Sequence, residues 1–302
     1  MIETKISLAL AELNAAIVGY QPAMVVGLMS GGNDSLPACY IASLHPAFSG
    51  ILHINTGIGI EDTRVFVRDL CAAKAWKLWE YKAMENTRAD GTPDPMDYEK
   101  LVLKHGFPGA FGHQMMYSRL KERQLRRFKR DHGIHGRGKL KNRVMLVSGV
   151  RQQESARRAR TVQKELLQIR PSELWAAPIR DWSKKDCRDA RLYAGLPENP
   201  VAFNLHKSGE CLCGAFAKKG ELAELAFFYP KEAQRIKDLE VRAREAGHNW
   251  GWESQPPKKV KPPSRYPDDE FLCTKCNLQE HEHRETVITV VSHPKDYPHL
   301  LD

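Results

Sequence analysis

Residues Ser30-Gly31-Gly32-Asn33-Asp34-Ser35 carry the chemistry most readily legible in the chain. Adjacent glycines let a backbone approach an anion closely, and the hydroxyls of Ser30 and Ser35 add donors. The string lies between an apolar run, Met24 to Met29, and a helical stretch from Leu36 to Leu44. Its peptide N–H groups would therefore open a helix, whose N-terminal end attracts negative charge. A phosphate or pyrophosphate is the ligand this pattern suits. Asp34 is out of place against an anion. Its expected role is to orient the loop or to hold Mg²⁺, a hard ion that takes carboxylate and phosphate oxygens.

Three other groups of residues could do chemistry. Arg151, Arg157 and Arg158 follow the apolar run Val144 to Val150 and its Gly149; guanidinium groups there could grip phosphate or sulfate in a two-pronged fashion. Cys211, Cys213, Cys273 and Cys276 form two close pairs, and four thiolates can close a tetrahedral Zn²⁺ site or hold a [4Fe–4S] cluster. Cys39, Cys71 and Cys187 are isolated and read as buried apolar thiols. Finally, the segment 119–143 holds eleven of the 46 Lys/Arg residues and two of the 37 Asp/Glu, so the formal charge of +9 resides there and the rest of the chain is balanced. Such a block could bind nucleic-acid phosphate, a polyanionic nucleotide or an acidic protein. Arg119, Arg123, Arg126 and Arg130 have the spacing of one helical face.

The elements that must position these residues follow from periodicity. Ile6 to Val18, Leu36 to Leu44 and Thr63 to Ala75 read as helices. Met24 to Met29, Gly50 to Asn55, Trp76 to Tyr81, Val144 to Val150 and Leu174 to Ile179 read as strands. Strands alternating with helices predict an α/β fold, a Rossmann-like parallel sheet with helices on both faces. Ligands on such sheets bind beyond the carboxyl ends of the strands. The loop after Met29, Asn55-Thr56-Gly57 and Gly149-Val150-Arg151 are three such ends. After about residue 205 the character changes to a C-terminal cysteine-bearing extension, residues 206–302. It contains a helical stretch from Glu221 to Ala246 and a Pro-rich arm over 254–267 that can form neither helix nor central strand.

With 302 residues, the chain has room for one large α/β domain with additions, and its 42% hydrophobic content and mean hydropathy of −0.50 are those of a soluble protein. No run reaches the ~18 apolar residues of a membrane span. The start, Met1-Ile2-Glu3-Thr4-Lys5, lacks the basic stretch of a secretory signal. These features predict a cytoplasmic protein, where close cysteine pairs bind metal or do redox chemistry more often than they form structural disulfides.

The Ser30–Ser35 string resembles the SGGxDS loop of PP-loop ATP pyrophosphatases in the adenine nucleotide α-hydrolase-like superfamily. Many members have Lys where this chain has Asn33, which removes one cation near the phosphates. Three more stretches resemble the phosphoadenosine phosphosulfate (PAPS) reductase-like family within it. His53 to Thr63 is similar to that family's second-strand motif, with Asn55-Thr56-Gly57 in place of the commoner DTG. Gly149 to Arg158, which includes Gln152-Gln153-Glu154, resembles its arginine-bearing motif. Trp175 to Asp186, followed by Leu196-Pro197-Glu198-Asn199-Pro200, resembles its Asp-Trp-Ser segment. The matches run in family order over about residues 24 to 214.

The resemblance implies a nucleotide site made of Ser30 to Ser35, Asn55, Thr56, Gly57, Gly149, Arg151, Glu154, Arg157 and Arg158. It implies ATP, or a sulfonucleotide such as PAPS or its unphosphorylated analogue APS, as ligand, with Mg²⁺. Asp34, Arg151 and Cys211 are the expected catalytic residues. The expected activity is cleavage of ATP to AMP and pyrophosphate to activate a substrate for sulfur transfer, on nucleic acid as in relatives that thiolate tRNA or modify DNA, with a sulfur-donor protein as partner. Reduction of PAPS or APS to sulfite is the alternative. The family's assimilatory reductases use a cysteine in a C-terminal E-C-G-L-H motif, and this chain has only Glu210-Cys211 as an echo of it. A nucleotide- or nucleic-acid-binding module without turnover is the third reading. Iron–sulfur members have an adjacent early cysteine pair, whereas Leu212 intervenes here, and zinc and iron–sulfur both remain open.

Overall fold

The computed structural model describes residues 2–85, 88, 92–93, 97–136, 142–154, 165–254 and 256. Six strands form one sheet: β1 (Met24–Leu28), β2 (Phe48–Asn55), β3 (Leu78–Lys82), β4 (Val144–Val147), β5 (Leu167–Ile169) and β6 (Glu173–Ala176), in the order β3-β2-β1-β4-β6-β5. The five expected strands are parallel to their neighbours. β5 is an addition: an antiparallel, three-residue edge strand that pairs with β6 through Leu167, Gln168 and Ile169. It is too short, and too exposed at Gln168 and Ile169, to leave a hydrophobic signature.

The central strands are buried on both sides, which is why they read as continuous apolar runs. On one side Val25, Met145, Val147 and Leu174 pack against α1 (Ile2–Tyr20), α2 (Ser35–Ser43) and, through Cys187 and Ala190, the helix at Lys184–Tyr193. α3 (Glu61–Ala73) joins this layer where Val67 and Leu70 meet Ile51. On the other side Val26, Leu52, Val144 and Leu146 meet Leu125 and Phe128. Those two residues lie on the helical run made by α4 (Tyr98–His105), α5 (Gly109–Tyr117), a π-helical turn (Ser118–Glu122) and α6 (Arg123–Asp131). The π turn falls inside the expected row of arginines and inserts an extra residue per turn there. Cys39, Cys71 and Cys187 are buried, and burial raises all three thiols, to about 11 for Cys71 and about 12 for Cys187.

The helix at Lys184–Tyr193, α7, begins at a capping box in which Ser183 and Asp186 bond reciprocally. α8 (Pro200–Leu205) starts on Asn199, whose side chain accepts from the Val201 N–H at 3.0 Å. The stretch expected to be one helix from Glu221 to Ala246 is two: α9 (Glu221–Phe228) and α10 (Pro230–Glu245). The break is at Tyr229, φ −136° and ψ 68°, because the residue before a proline is pushed out of the helical region and Pro230 has no N–H to continue the ladder. α4, α8, α9 and α10 enclose a second core with Phe107, Leu212, Cys213 and Trp252, so residues 98–120 and 201–252 pack together. Among the described residues no helix is long and apolar enough to cross a membrane. The Pro-rich arm from residue 257 on, and Cys273 and Cys276, lie outside them.

Candidate nucleotide site

The chain leaves β1 toward β2 on one side and β4 toward β6 on the other, so a crevice opens between the carboxyl ends of β1 and β4. The Ser30–Ser35 loop follows β1 and Gly149-Val150-Arg151 follows β4. Together they line a cleft of about 940 Å³. At the start of the loop Gly31 has φ +76°, and an added Cβ would lie 2.8 Å from the Thr63 side chain. The Ser35 hydroxyl donates to the Gly32 carbonyl at 2.9 Å, and Ser30 lies 3.4 Å from it. Asn33 is exposed at the cleft. Gly149 is needed for contact: a Cβ there would stand 2.4 Å from the Asp34 carbonyl oxygen.

Asp34 and Arg151 face each other rather than a ligand. The Arg151 guanidinium is buried and forks onto the carboxylate, Nε to Oδ1 at 2.9 Å and Nη2 to Oδ2 at 3.0 Å, while Nη1 donates to the Trp182 carbonyl at 3.1 Å. The Cys187 thiol, raised by burial, lies against the same carboxylate. A buried pair of this geometry fixes the loop to the β4 end and to the Asp-Trp-Ser segment. Asp34 thus orients the loop through Arg151. From the other side Asn199 donates to the Gly31 carbonyl at 2.9 Å and to the Thr63 hydroxyl at 3.2 Å.

Asn55, Thr56 and Gly57 are placed elsewhere. None of them lines the cleft. Asn55 donates to Glu80 at 2.8 Å and accepts from the Gly57 N–H at 3.0 Å. Arg68 bonds Glu80 through two nitrogens and holds its carboxyl down to about 2. Thr56 donates its N–H to the buried Glu210 carboxylate at 2.8 Å and its hydroxyl to the Glu210 carbonyl at 2.5 Å. Glu210 also lies 3.2 Å from His53 Nε2, and His53 Nδ1 is 2.8 Å from the carbonyl of Met29, the residue before the loop. The segment 208–213 is thereby stitched to the β2 end.

That segment carries Cys211 and Cys213, whose side chains hydrogen-bond each other. The bond from Cys213 and the charge of Lys121 hold the Cys211 thiol below its ordinary value; the Cys213 thiol is pushed up by the same bond and by burial. Tyr98 donates to the Cys213 carbonyl at 3.1 Å and Trp252 to that of Leu212 at 2.6 Å. No cluster of three or more metal-binding side chains occurs among the described residues. Arg157 and Arg158 lie outside them, and Glu154 ends a short 3₁₀ turn, 152–154.

Sequence reasoning gave no role to Asn199, His53 or Glu210, or to the basic residues of α7. Lys184, Lys185, Arg188 and Arg191 all line the cleft, together with His206 and Lys207. The signal was present in the string Ser183-Lys184-Lys185, but only the fold puts α7 beside the loop. Among the described residues, none of those lining the cleft comes from the basic segment 119–143.

No protein-family model matches the chain, and no curated protein matches it. Solved structures that resemble it include the crystal structure of phosphoadenylyl-sulfate (PAPS) reductase from Candida auris in a phosphate complex. It is 15% identical, with a TM-score of 0.45 over 65% of this chain and 83% of that one.

Proposed function

We propose that the chain is a PP-loop enzyme of the PAPS reductase-like family that binds ATP and cleaves it to AMP and pyrophosphate, activating a substrate for sulfur transfer. The observation that carries this reading is the Ser30–Ser35 loop, set at the β1 end over the start of α2 in an anion-suited cleft. The N–H groups and hydroxyls of the loop would hold the pyrophosphate portion, and Mg²⁺ would arrive on phosphate oxygens. Asp34, engaged by Arg151, would act as the brace of the loop. A substrate oxygen attacks the α-phosphorus, the bond from that phosphorus to the bridging oxygen breaks, and pyrophosphate leaves. The terminal sulfur of a persulfide on a donor protein then attacks the activated atom and displaces AMP, and a second thiol of the donor cleaves the resulting substrate–S–S–donor bond, freeing the thiolated substrate and leaving a disulfide on the donor. Cys211 and Cys213, with Cys273 and Cys276, are the residues that would hold Zn²⁺ or a [4Fe–4S] cluster. Two thiols separated by one residue suit one half of such a site, and the bound metal would tie the C-terminal residues to the helical layer.

The test is pyrophosphate release from Mg-ATP in the presence of nucleic-acid acceptors, alongside calorimetric ATP binding. Release that falls at least tenfold in Ser30→Ala/Ser35→Ala supports the reading. ATP binding without release under any condition overturns it in favour of a module without turnover. The Glu210-Cys211 string motivates a second reading, sulfonucleotide reduction. There the thiolate attacks the sulfonyl sulfur, the nucleotide leaves, and an external thiol reduces the S-sulfocysteine and frees sulfite. Sulfite formation abolished by Cys211→Ser would establish it.

A further inference from the structure

The cleft has two charged walls, and the phosphate loop uses one of them. The other is α7. It is rigidly placed, with Cys187 and Ala190 packed beneath it and Asp186 tied to Lys5 at 2.8 Å. Among the described residues two carboxylates line the cleft, Asp34 and Glu198, and both are engaged, by Arg151 and by Arg191 at 3.2 Å. Lys184, Lys185 and Arg188 are left as a basic row on the outer lip. Lys184 has no ion pair among the described residues. Lys185 and Arg188 share one carboxylate, Asp189, at 2.5 and 3.8 Å.

Exposure separates the two ends of this wall. The Arg191 side chain is 10% exposed, whereas Lys185 and Arg188 are 73% and 64% exposed. A small nucleotide enclosed by the cleft would be met by a largely buried, paired group such as Arg191. Cations that line the cleft and yet open to solvent suit an anion that continues past its mouth. Along the helix, positions 184 and 188 are about 6 Å apart, so the row can meet successive charges of a polymer rather than one group. Its long side chains also keep the freedom to track a backbone.

We propose that the α7 lip, Lys184, Lys185 and Arg188, is the binding track for the phosphate backbone of a polynucleotide strand whose reacting end enters the cleft. This rests on reading the cleft as a nucleotide site. It assigns the polyanion to α7 and not to the segment 119–143.

The experiment is fluorescence anisotropy of a labelled single-stranded 20-mer at several KCl concentrations. It is run with the full chain, with Lys184→Glu/Lys185→Glu/Arg188→Glu and with Arg126→Glu/Arg130→Glu. A milder set with Gln at the three α7 positions guards against misfolding. The α7 variants should weaken binding at least tenfold and lower the slope of log K against log salt by about 2, at roughly 0.7 per phosphate contact on a single strand. The α6 variant should bind as the parent does. Unchanged binding in the α7 variants, loss in the α6 variant alone, or equal displacement by polyglutamate at matched charge would overturn the proposal. An oligonucleotide that does not bind at all, with inorganic pyrophosphate affinity lost in the α7 variants, would also overturn it and give the lip to a small ligand. Calorimetric ATP binding on the same proteins separates the two claims. If ATP fails to bind while the α7 effect stands, the ATP reading falls and the track remains.

Discussion

Helices α6 and α7 are both basic, and they lie on opposite faces of one sheet. α6 carries five cations and one acid over nine residues; α7 carries four cations and two acids over ten. By charge alone α6 is the stronger candidate for an anion site, yet α7 lines the cleft and α6 does not. At least three of the five cations of α6 are engaged by the protein's own groups. Lys129 is ion-paired with Glu173 and donates to Ser172, Arg127 lies over the Tyr81 ring and beside Glu85, and Arg130 is beside Asp131. What distinguishes the two helices is which of them lines the cleft, and summed charge does not record that.

Arg151 gives the sharpest test of the distinction, because it is a cleft cation fully engaged by the protein. Arg151→Met removes the partner of a partly buried carboxylate, and breaking such a pair costs about 3 kcal/mol. ATP affinity should fall at least tenfold as the loop loses its brace. Thermal unfolding and calorimetry read the two effects. Loss of affinity with no change in Tm would mean that Arg151 contacts ligand instead. Asp34→Asn/Arg151→Met should recover part of the stability, since neither charge is then left alone.

On α6, Lys129→Met should cost about 1–3 kcal/mol, since Glu173, nearly buried and bonded by Trp175, loses its closest cation. Nucleotide and oligonucleotide binding should not change. Unaltered Tm with weakened oligonucleotide binding would reverse the roles assigned to the two helices.

The difference between these regions explains what the sequence disclosed. The phosphate loop was legible because all its determinants are local: an apolar strand, two glycines and a helix start within about a dozen residues. The parallel sheet was legible because both-sided burial makes β1 and β4 continuous runs without polar side chains and places Ile51-Leu52 at the middle of β2. Arg151 was found as a candidate, but its partner is 117 residues away, and nothing local distinguishes an arginine that grips phosphate from one that grips Asp34. Glu210 lies 154 residues from Thr56, so its place beneath the β2 end was invisible. The division at Tyr229 was missed, although Pro230 marks it. The cleft face of α7 was not, because it depends on which strand ends the chain brings together.

Strand β3 and helix α3 offer a third set of engaged charges, Glu80 and Arg68. Glu80 is held down to about 2, chiefly by its bonds from Arg68. A carboxyl lowered on folding stabilises above its unfolded value, near 4.5, and loses that contribution as pH falls through the folded one. Glu80→Gln should therefore cost about 1 kcal/mol at pH 7, discounted because Arg68 is 40% exposed. Between pH 4.5 and 2 the variant should lose stability less steeply than the parent. Parallel curves in urea titrations across that range would show that Glu80 is not the group responsible.

The smallest effect belongs to the residues that the sequence makes most conspicuous. Arg126 and Arg130 are exposed; Arg126 has no ion pair among the described residues, and Arg130 has only Asp131 at 3.5 Å. Surface pairs of this kind contribute about 0–1 kcal/mol. Arg126→Glu/Arg130→Glu lowers the formal charge from +9 to +5. It should nevertheless move stability by less than about 0.5 kcal/mol and leave ATP affinity within twofold. Long-range attraction reaches only about 8 Å at physiological salt, so a change of four charges on the face opposite α7 is screened from the cleft. The variant should weaken ATP binding only at low ionic strength, and raising KCl to about 0.15 M should remove the difference. A deficit that persists at that salt would place these arginines within contact of the ligand, and the contrast between α6 and α7 would then fail at its most basic point.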